Sequence, residues 1–144
     1  MKTRIAAVQC VYAVLFMGEK LSARTMKYFM RRSFASEDEA DSGAPAEINA
    51  KFFAYLARGV VKNLGTLDAA IAGNLRLDIA KTDPLLVCIM RAGAFEITMR
   101  AGVPANVVVS EYTGLASRFF DAKKTALVNA VLDKIAKEAP HDGT

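Results

Sequence analysis

DPLLVCIMRAGAFEI, residues 83–97, is the stretch on which the fold turns. Asp83 followed by Pro84 is a strong helix start. The carboxylate can accept from free N–H groups of the first turn, and proline is tolerated at the first helical position because its missing N–H has no partner there. From that start Leu86, Ile89, Met90 and Ile97 return at helical spacing, which predicts a helix to about Arg100 with one apolar face. Gly93 falls on the same face, where a missing side chain would let a neighbouring helix approach closely.

Working outward from it, the pattern stays helical. Gly102-Val103-Pro104 reads as a turn. Val107 to Val109 looks locally like strand, yet Val108, Tyr112, Leu115 and Phe119 are spaced i, i+4, i+7 and i+11, which predicts a helix. A last helix is expected over about Lys123 to Glu138, with Val128, Val131, Leu132 and Ile135 inward, and Pro140 to Thr144 as a tail. Upstream, Arg76 to Thr82 reads as a break with room for one helical turn. One long helix is expected from about Glu47 to Leu75 on Ile48, Phe52, Leu56, Val60, Leu67 and Ile71, with Gly59 and Gly65 read as packing positions. Residues 36–46 read as the long loop. Before it, Ser22 can cap a helix carrying Met26, Phe29, Met30 and Phe34, and Gly18 can stop a first helix over Arg4 to Met17. The expectation is an all-α protein of six or seven helices.

The 144 residues make one domain's worth of chain, long enough to bury a core without covalent staples. With 53% apolar and 24% charged residues the chain is not of the disordered class. Cys10 and Cys88 are too few for a disulfide scaffold or a cysteine zinc site, and a lone histidine, His141, argues against a triad or a multi-histidine metal site. There is no phosphate-binding glycine loop, no G-x-S-x-G and no H-E-x-x-H, so no enzyme, cofactor or metal is expected. Lys2 and Arg4 ahead of the apolar run Ile5 to Met17 resemble the start of a signal peptide. The run is too short to span a bilayer, which takes about 20 residues, and no clean cleavage site follows. A buried helix in a cytoplasmic protein is the expectation.

Net charge is +4, and its distribution is uneven. Residues 1–35 carry Lys2, Arg4, Lys20, Arg24, Lys27, Arg31 and Arg32 against Glu19 alone, whereas residues 36–50 carry five acids and no base. Arg24, Lys27 and Arg31 share one helical face. Two readings stay open on charge alone: a solvated face followed by an acidic loop, or a basic surface that meets phosphates.

Specific strings go further. Arg4-Ile5-Ala6-Ala7-Val8-Gln9-Cys10-Val11-Tyr12 resembles the R-x-x-A-V-Q-x-L-Y opening of the NusB family of bacterial transcription antitermination factors. Asp83-Pro84 through Arg91-Ala92-Gly93-Ala94-Phe95-Glu96-Ile97 resembles its D-P-x-x-x-x-x-x-R-x-G-A-Y-E-L segment. Val103-Pro104 through Glu111-Tyr112 and Leu115 to Phe119 is similar to its V-P-x-x-V-x-I-N-E-Y-x-x-L-A-K-R-F, and Val128 to Ile135 to its V-N-G-V-L-D-K-I. The strings come in family order and cover residues 4–12 and 83–135.

The resemblance implies two three-helix-type bundles packed together in a single domain, an N-terminal one over about 1–75 and a C-terminal one over about 76–138. It also implies binding of the boxA element of nascent ribosomal RNA, shared with NusE, a small-subunit ribosomal protein, within the RNA polymerase antitermination complex. Carried over residue by residue, it places Lys2 and Arg4 in an RNA-touching basic arm and Gln9 beside it. Lys123 and Lys124 form a second RNA-facing patch, with Leu127 where an aromatic is frequent and Phe120 where glycine is common. Leu86 and Asn74 fall on the NusE side. Arg91, Glu96, Glu111 and Asn129 read as a structural polar network. Arg4, ahead of the apolar face, is expected to be exposed, and the chain to be a monomer or homodimer. Two alternatives remain: a helical adaptor that binds protein and no RNA, and a stand-alone relative of the RNA-binding domain of ribosomal RNA cytosine methyltransferases, whose chains run hundreds of residues beyond the length seen here.

Overall fold

A computed structural model describes residues 1–34, 49–75, 77–100 and 102–139. Among them the chain forms seven α-helices and no strand: α1 Lys2–Phe16, α2 Ala23–Phe34, α3 Ala50–Lys62, α4 Leu64–Leu75, α5 Pro84–Met99, α6 Ala105–Ser117 and α7 Ala122–Glu138, with a 3₁₀ turn at Ile79–Lys81. The loop expected at 36–46 and the tail at 140–144 lie outside the described residues.

The starts and stops follow the side chains that can satisfy free backbone groups. The Asp83 carboxylate accepts from the N–H of Leu85 at 2.9 Å and of Leu86 at 3.5 Å. Ser22 Oγ accepts from Thr25 N–H at 3.2 Å, Asn49 caps α3 through Phe52 N–H at 3.0 Å, and Asp78 caps the 3₁₀ turn through Ala80 N–H at 3.1 Å. Such caps contribute about 0.5–2 kcal/mol each. Gly18, at φ +78°, turns the chain out of α1, and Gly102, at φ +93°, does the same work ahead of α6. The helix expected over Val108, Tyr112, Leu115 and Phe119 is present as far as Ser117: the first three residues are fully buried, whereas Phe119 lies past its end and is exposed.

The long helix expected from Glu47 to Leu75 is two helices. At Asn63 the side-chain amide donates to the Gly59 carbonyl at 2.7 Å, while the Asn63 carbonyl accepts from Leu67 N–H at 3.0 Å. One residue therefore ends α3 and begins α4. The break has a packing consequence: α4 lies against α5 and α7 and touches α3 only lightly. α1, α2 and α3 pack with one another, and α4 packs with α5 and α7.

α5 is the axis of the molecule, packed against α1, α3, α4, α6 and α7. Eleven consecutive residues, Leu86 to Glu96, are buried, where the sequence pattern predicted one apolar face. A helix surrounded on all sides has no solvent face, and its periodicity under-reports its burial. Small residues make the crowding possible. A Cβ on Gly93 would lie 2.6 Å from a Leu132 methyl and 3.3 Å from the Tyr112 ring, and one on Gly59 would lie 2.1 Å from the Phe95 ring. Gly65 has open space around it, so packing does not explain it.

Two ion pairs tie α5 to its neighbours. Arg91 donates twice to Asp68, at 2.7 and 2.9 Å, joining α5 to α4. Glu96, fully buried, joins α5 to α1 and α6. The network expected from Arg91, Glu96, Glu111 and Asn129 is therefore divided: Asn129 takes a long 3.4 Å hydrogen bond from Thr113 between α6 and α7, apart from either ion pair.

Candidate nucleic-acid interface

Between α1, α2, the start of α5 and the α6–α7 turn lies a groove of about 960 Å³. Gln9, Tyr12 and Ala13 of α1 form one wall and Arg24, Thr25, Tyr28, Phe29 and Arg32 of α2 another. Asp83 and Leu85 at the start of α5 and Phe119 and Phe120 from the α6–α7 turn complete it, with Met17 and Glu19 from the α1–α2 turn. The two phenylalanines are held there by backbone bonds: the N–H groups of Phe119 and Phe120 both donate to the Ala116 carbonyl, at 3.0 and 2.9 Å, wrapping the turn over the end of α6.

The groove is rich in planar rings. Tyr12 stacks on Phe16 with centroids 5.5 Å apart, and Tyr28 meets Phe29 edge-on at 5.0 Å. Tyr28 is 56% exposed and Phe119 41%, so neither ring has its faces fully committed to the core. Lys124 Nζ lies 5.3 Å from the centroid of the Phe120 ring. No ion pair or hydrogen bond ties Arg24 or Arg32 to another described residue. The carboxylates present are Glu19 and Asp83, and Asp83 already spends one oxygen on the N-terminus of α5. Rings beside cations that have no partner among the described residues, in a groove this size, suit flat, anionic, single-stranded chains.

The residues expected to bind RNA are not all here. Gln9 and Phe120, 111 positions apart in sequence, both line the groove, and Lys124 adjoins it through Phe120. Lys123 is exposed in the first turn of α7. Leu127 is half-buried against the core and outside the groove lining, and Lys2 is half-buried. The α7 N-terminus is not an open anion site, because Asp121 caps it, its carboxylate accepting from Lys124 N–H at 3.0 Å.

Arg4 is not exposed. Its guanidinium donates to Glu96 through Nε at 2.7 Å and Nη2 at 2.8 Å, its side chain is 13% exposed, and it lies 5.1 Å from the Phe52 ring centroid. Glu96 also accepts from Arg100 at 3.0 Å and from the Tyr112 hydroxyl. The bonds to Glu96 raise the Arg4 pKa further. For Glu96, burial pushes the carboxyl up, but the hydrogen bonds and charges of Arg4, Tyr112 and Arg100 outweigh it and hold the group below the usual carboxylate range. Burial and the neighbouring Glu96 charge push Tyr112 well up. A buried carboxylate with three donors is a structural lock.

Leu86, expected on the NusE side, is 2% exposed and lies in the core of the chain. The Asn74 side chain lies outside the described residues. Sequence did not single out Tyr28 or Phe119 as groove residues, and it pointed to Arg24 and Arg32 only within the N-terminal excess of cations. The signal was present in α2, where an aromatic sits inside a run of cations on the exposed side of the helix. The two cysteines are sealed away, with burial pushing Cys10 up to about 11 and Cys88 up to about 12. No helix among the described residues is long and apolar enough to cross a membrane.

Comparison with known proteins converges on one family. The NusB family profile matches residues 1–137. The transcription antitermination protein NusB of Rhodopseudomonas palustris strain HaA2 is 39% identical over 141 residues, covering 96% of this chain and 82% of its own. That of Mesorhizobium japonicum is 34% identical over 142 residues, covering 97% and 90%. That of Caulobacter vibrioides is 35% identical over 138 residues, covering 94% and 91%. Among solved structures, T. maritima NusB superposes with a TM-score of 0.75 at 19% identity, covering 95% of this chain and 89% of its own, and so supports the fold. The profile match over residues 1–137, the identities and the shared helical architecture establish that this chain belongs to the NusB family.

Proposed function

We propose that this chain is a cytoplasmic transcription antitermination factor that binds the boxA element of nascent ribosomal RNA jointly with NusE, as part of the RNA polymerase antitermination complex, and that the RNA enters the groove between α1, α2 and the α6–α7 turn. The observation that carries the reading is the convergence of Gln9, Tyr12, Tyr28, Phe119 and Phe120 with Arg24, Arg32 and Lys124 from four separate elements. Each part has a physical task. The rings offer faces to unstacked bases, worth about 1–3 kcal/mol per base. The cations neutralise phosphates, and the Gln9 amide can donate to and accept from a base edge.

The role is binding rather than catalysis. RNA binding by the chain alone is expected to be weak, because Arg4 is committed to Glu96 and Leu127 stands where an aromatic is frequent; NusE adds contacts and orders the site. The test is a titration of boxA-type RNA with and without NusE at two salt concentrations. Tighter, salt-sensitive binding with NusE supports the reading. NusE binding with no RNA bound under either condition would make the chain a protein adaptor.

A further inference from the structure

We propose that the exposed face of α2 carries the phosphate backbone of the bound RNA, so that the groove holds bases and α2 holds the chain joining them. This rests on the RNA-binding reading above and assigns within it a part that the N-terminal arm was expected to play.

In this chain the arm has little to offer, since Arg4 is consumed by Glu96. α2 has the cations instead. At 100° per residue, Lys27, Arg31, Arg24, Tyr28 and Arg32 fall in that order within an arc of about 140°. All five are exposed, and the buried Met26 lies on the opposite side. No ion pair or hydrogen bond joins any of the four cations to another described residue.

Helix stability does not account for the pattern. Arg24 and Lys27 at i, i+3 and Lys27 and Arg31 at i, i+4 are like-charge neighbours that repel. Arg31 and Arg32 gain from the carbonyl end of the helix, whereas Arg24 sits in the first turn, where the helix dipole disfavours a cation. A row of mutually repelling cations with no partner among the described residues, beside a ring-lined groove, makes physical sense when an anion lies on it. The spacing also fits a linear polyanion. Arg24 and Arg32 both line the groove, two helical turns and about 12 Å apart along the axis. Tyr28 stands between them, so that a base stacked on Tyr28 would leave its flanking phosphates beside the two arginines.

The experiment is a titration of labelled boxA-type RNA against the full chain over a series of KCl concentrations. The variants are Arg24→Gln/Arg32→Gln, Lys27→Gln/Arg31→Gln and, as a control on the far half of α7, Lys134→Gln/Lys137→Gln. Each α2 pair is expected to bind more weakly and to lower the slope of log affinity against log salt by about 1.4, which is about 0.7 per phosphate contact on a single strand. The control keeps the wild-type slope, and melting temperatures stay level or rise. If one α2 pair melts lower, the other, on the same arc, decides. Wild-type slope in both α2 pairs would overturn the α2 assignment while leaving RNA binding standing. Loss of NusE binding at unchanged RNA slope would also overturn it, making α2 a protein-facing surface. If the wild-type chain with NusE shows no salt-dependent RNA binding, the RNA reading itself fails, and the α2 assignment with it.

Discussion

The two ends of α1 use the same kinds of side chain for opposite purposes. At its N-terminal turn Arg4, Glu96, Arg100, Tyr112 and Phe52 form a closed set, in which the carboxylate has three donors and Arg4 and Arg100 lie over the Phe52 ring at 5.1 and 4.1 Å. Toward its C-terminal end Tyr12, Tyr28, Phe119, Arg24 and Arg32 form an open set, with rings partly exposed and arginines without an acid among the described residues. Residue type does not separate a lock from a binding surface. What separates them is whether each charge has already found its partner.

Breaking the closed end should have the largest effect. Arg4→Ala leaves a buried carboxylate with Arg100 and the Tyr112 hydroxyl alone, and removal of one member of a buried ion pair costs up to about 3–5 kcal/mol. Thermal or urea unfolding should show that loss, while RNA affinity per folded molecule stays at wild-type level. A stable Arg4→Ala protein that no longer bound RNA would return Arg4 to the arm.

Acid should open the same set. Glu96 is held below its ordinary value of 4.5, so the stability it contributes is fully present above that pH and is lost as pH falls through its lowered folded value. Unfolding free energy measured across the acid range should decline there, and Glu96→Gln should show a lower plateau and a shallower decline. An identical acid limb in both proteins would mean that other carboxylates carry it.

The open end should respond in the other coordinate. Tyr28→Ala removes a half-exposed ring and should weaken RNA binding by about 1–3 kcal/mol, with little change in melting temperature. A clear loss of stability at unchanged affinity would make Tyr28 a packing residue. The smallest effect belongs to the α7 N-terminus. There Lys123→Glu/Lys124→Glu should gain up to about 0.3–1 kcal/mol per site at low salt, because acids suit that end of a helix. It should also lower RNA affinity through loss of the Lys124 cation beside Phe120.

Much of the fold is legible in residues 83–97 and the helices around them, because caps and apolar spacing are local signals. Asp83, Ser22, Gly18 and Gly102 act where the sequence places them. The break at Asn63 is not legible, since an amide folding back onto Gly59 leaves the apolar register of Phe52 to Ile71 intact. The site is half legible for a related reason. Gln9 comes from a family string and Phe120 from a position just past one, whereas the fate of Arg4 depends on a carboxylate 92 residues away and that of Leu86 on five helices closing around α5. Partners that distant in sequence leave no periodic trace. The exposed ring and cations of α2 lie in a stretch where the family strings are silent.

Photocrosslinking of 4-thiouridine-substituted boxA RNA to the chain bound with NusE, mapped by peptide mass spectrometry, decides which end of α1 meets RNA. Crosslinks are expected at the rings of the open end, Tyr28, Phe119 and Phe120. Crosslinks confined to the closed end, around Phe52 and Arg100, or to the C-terminal half of α7, would contradict that expectation.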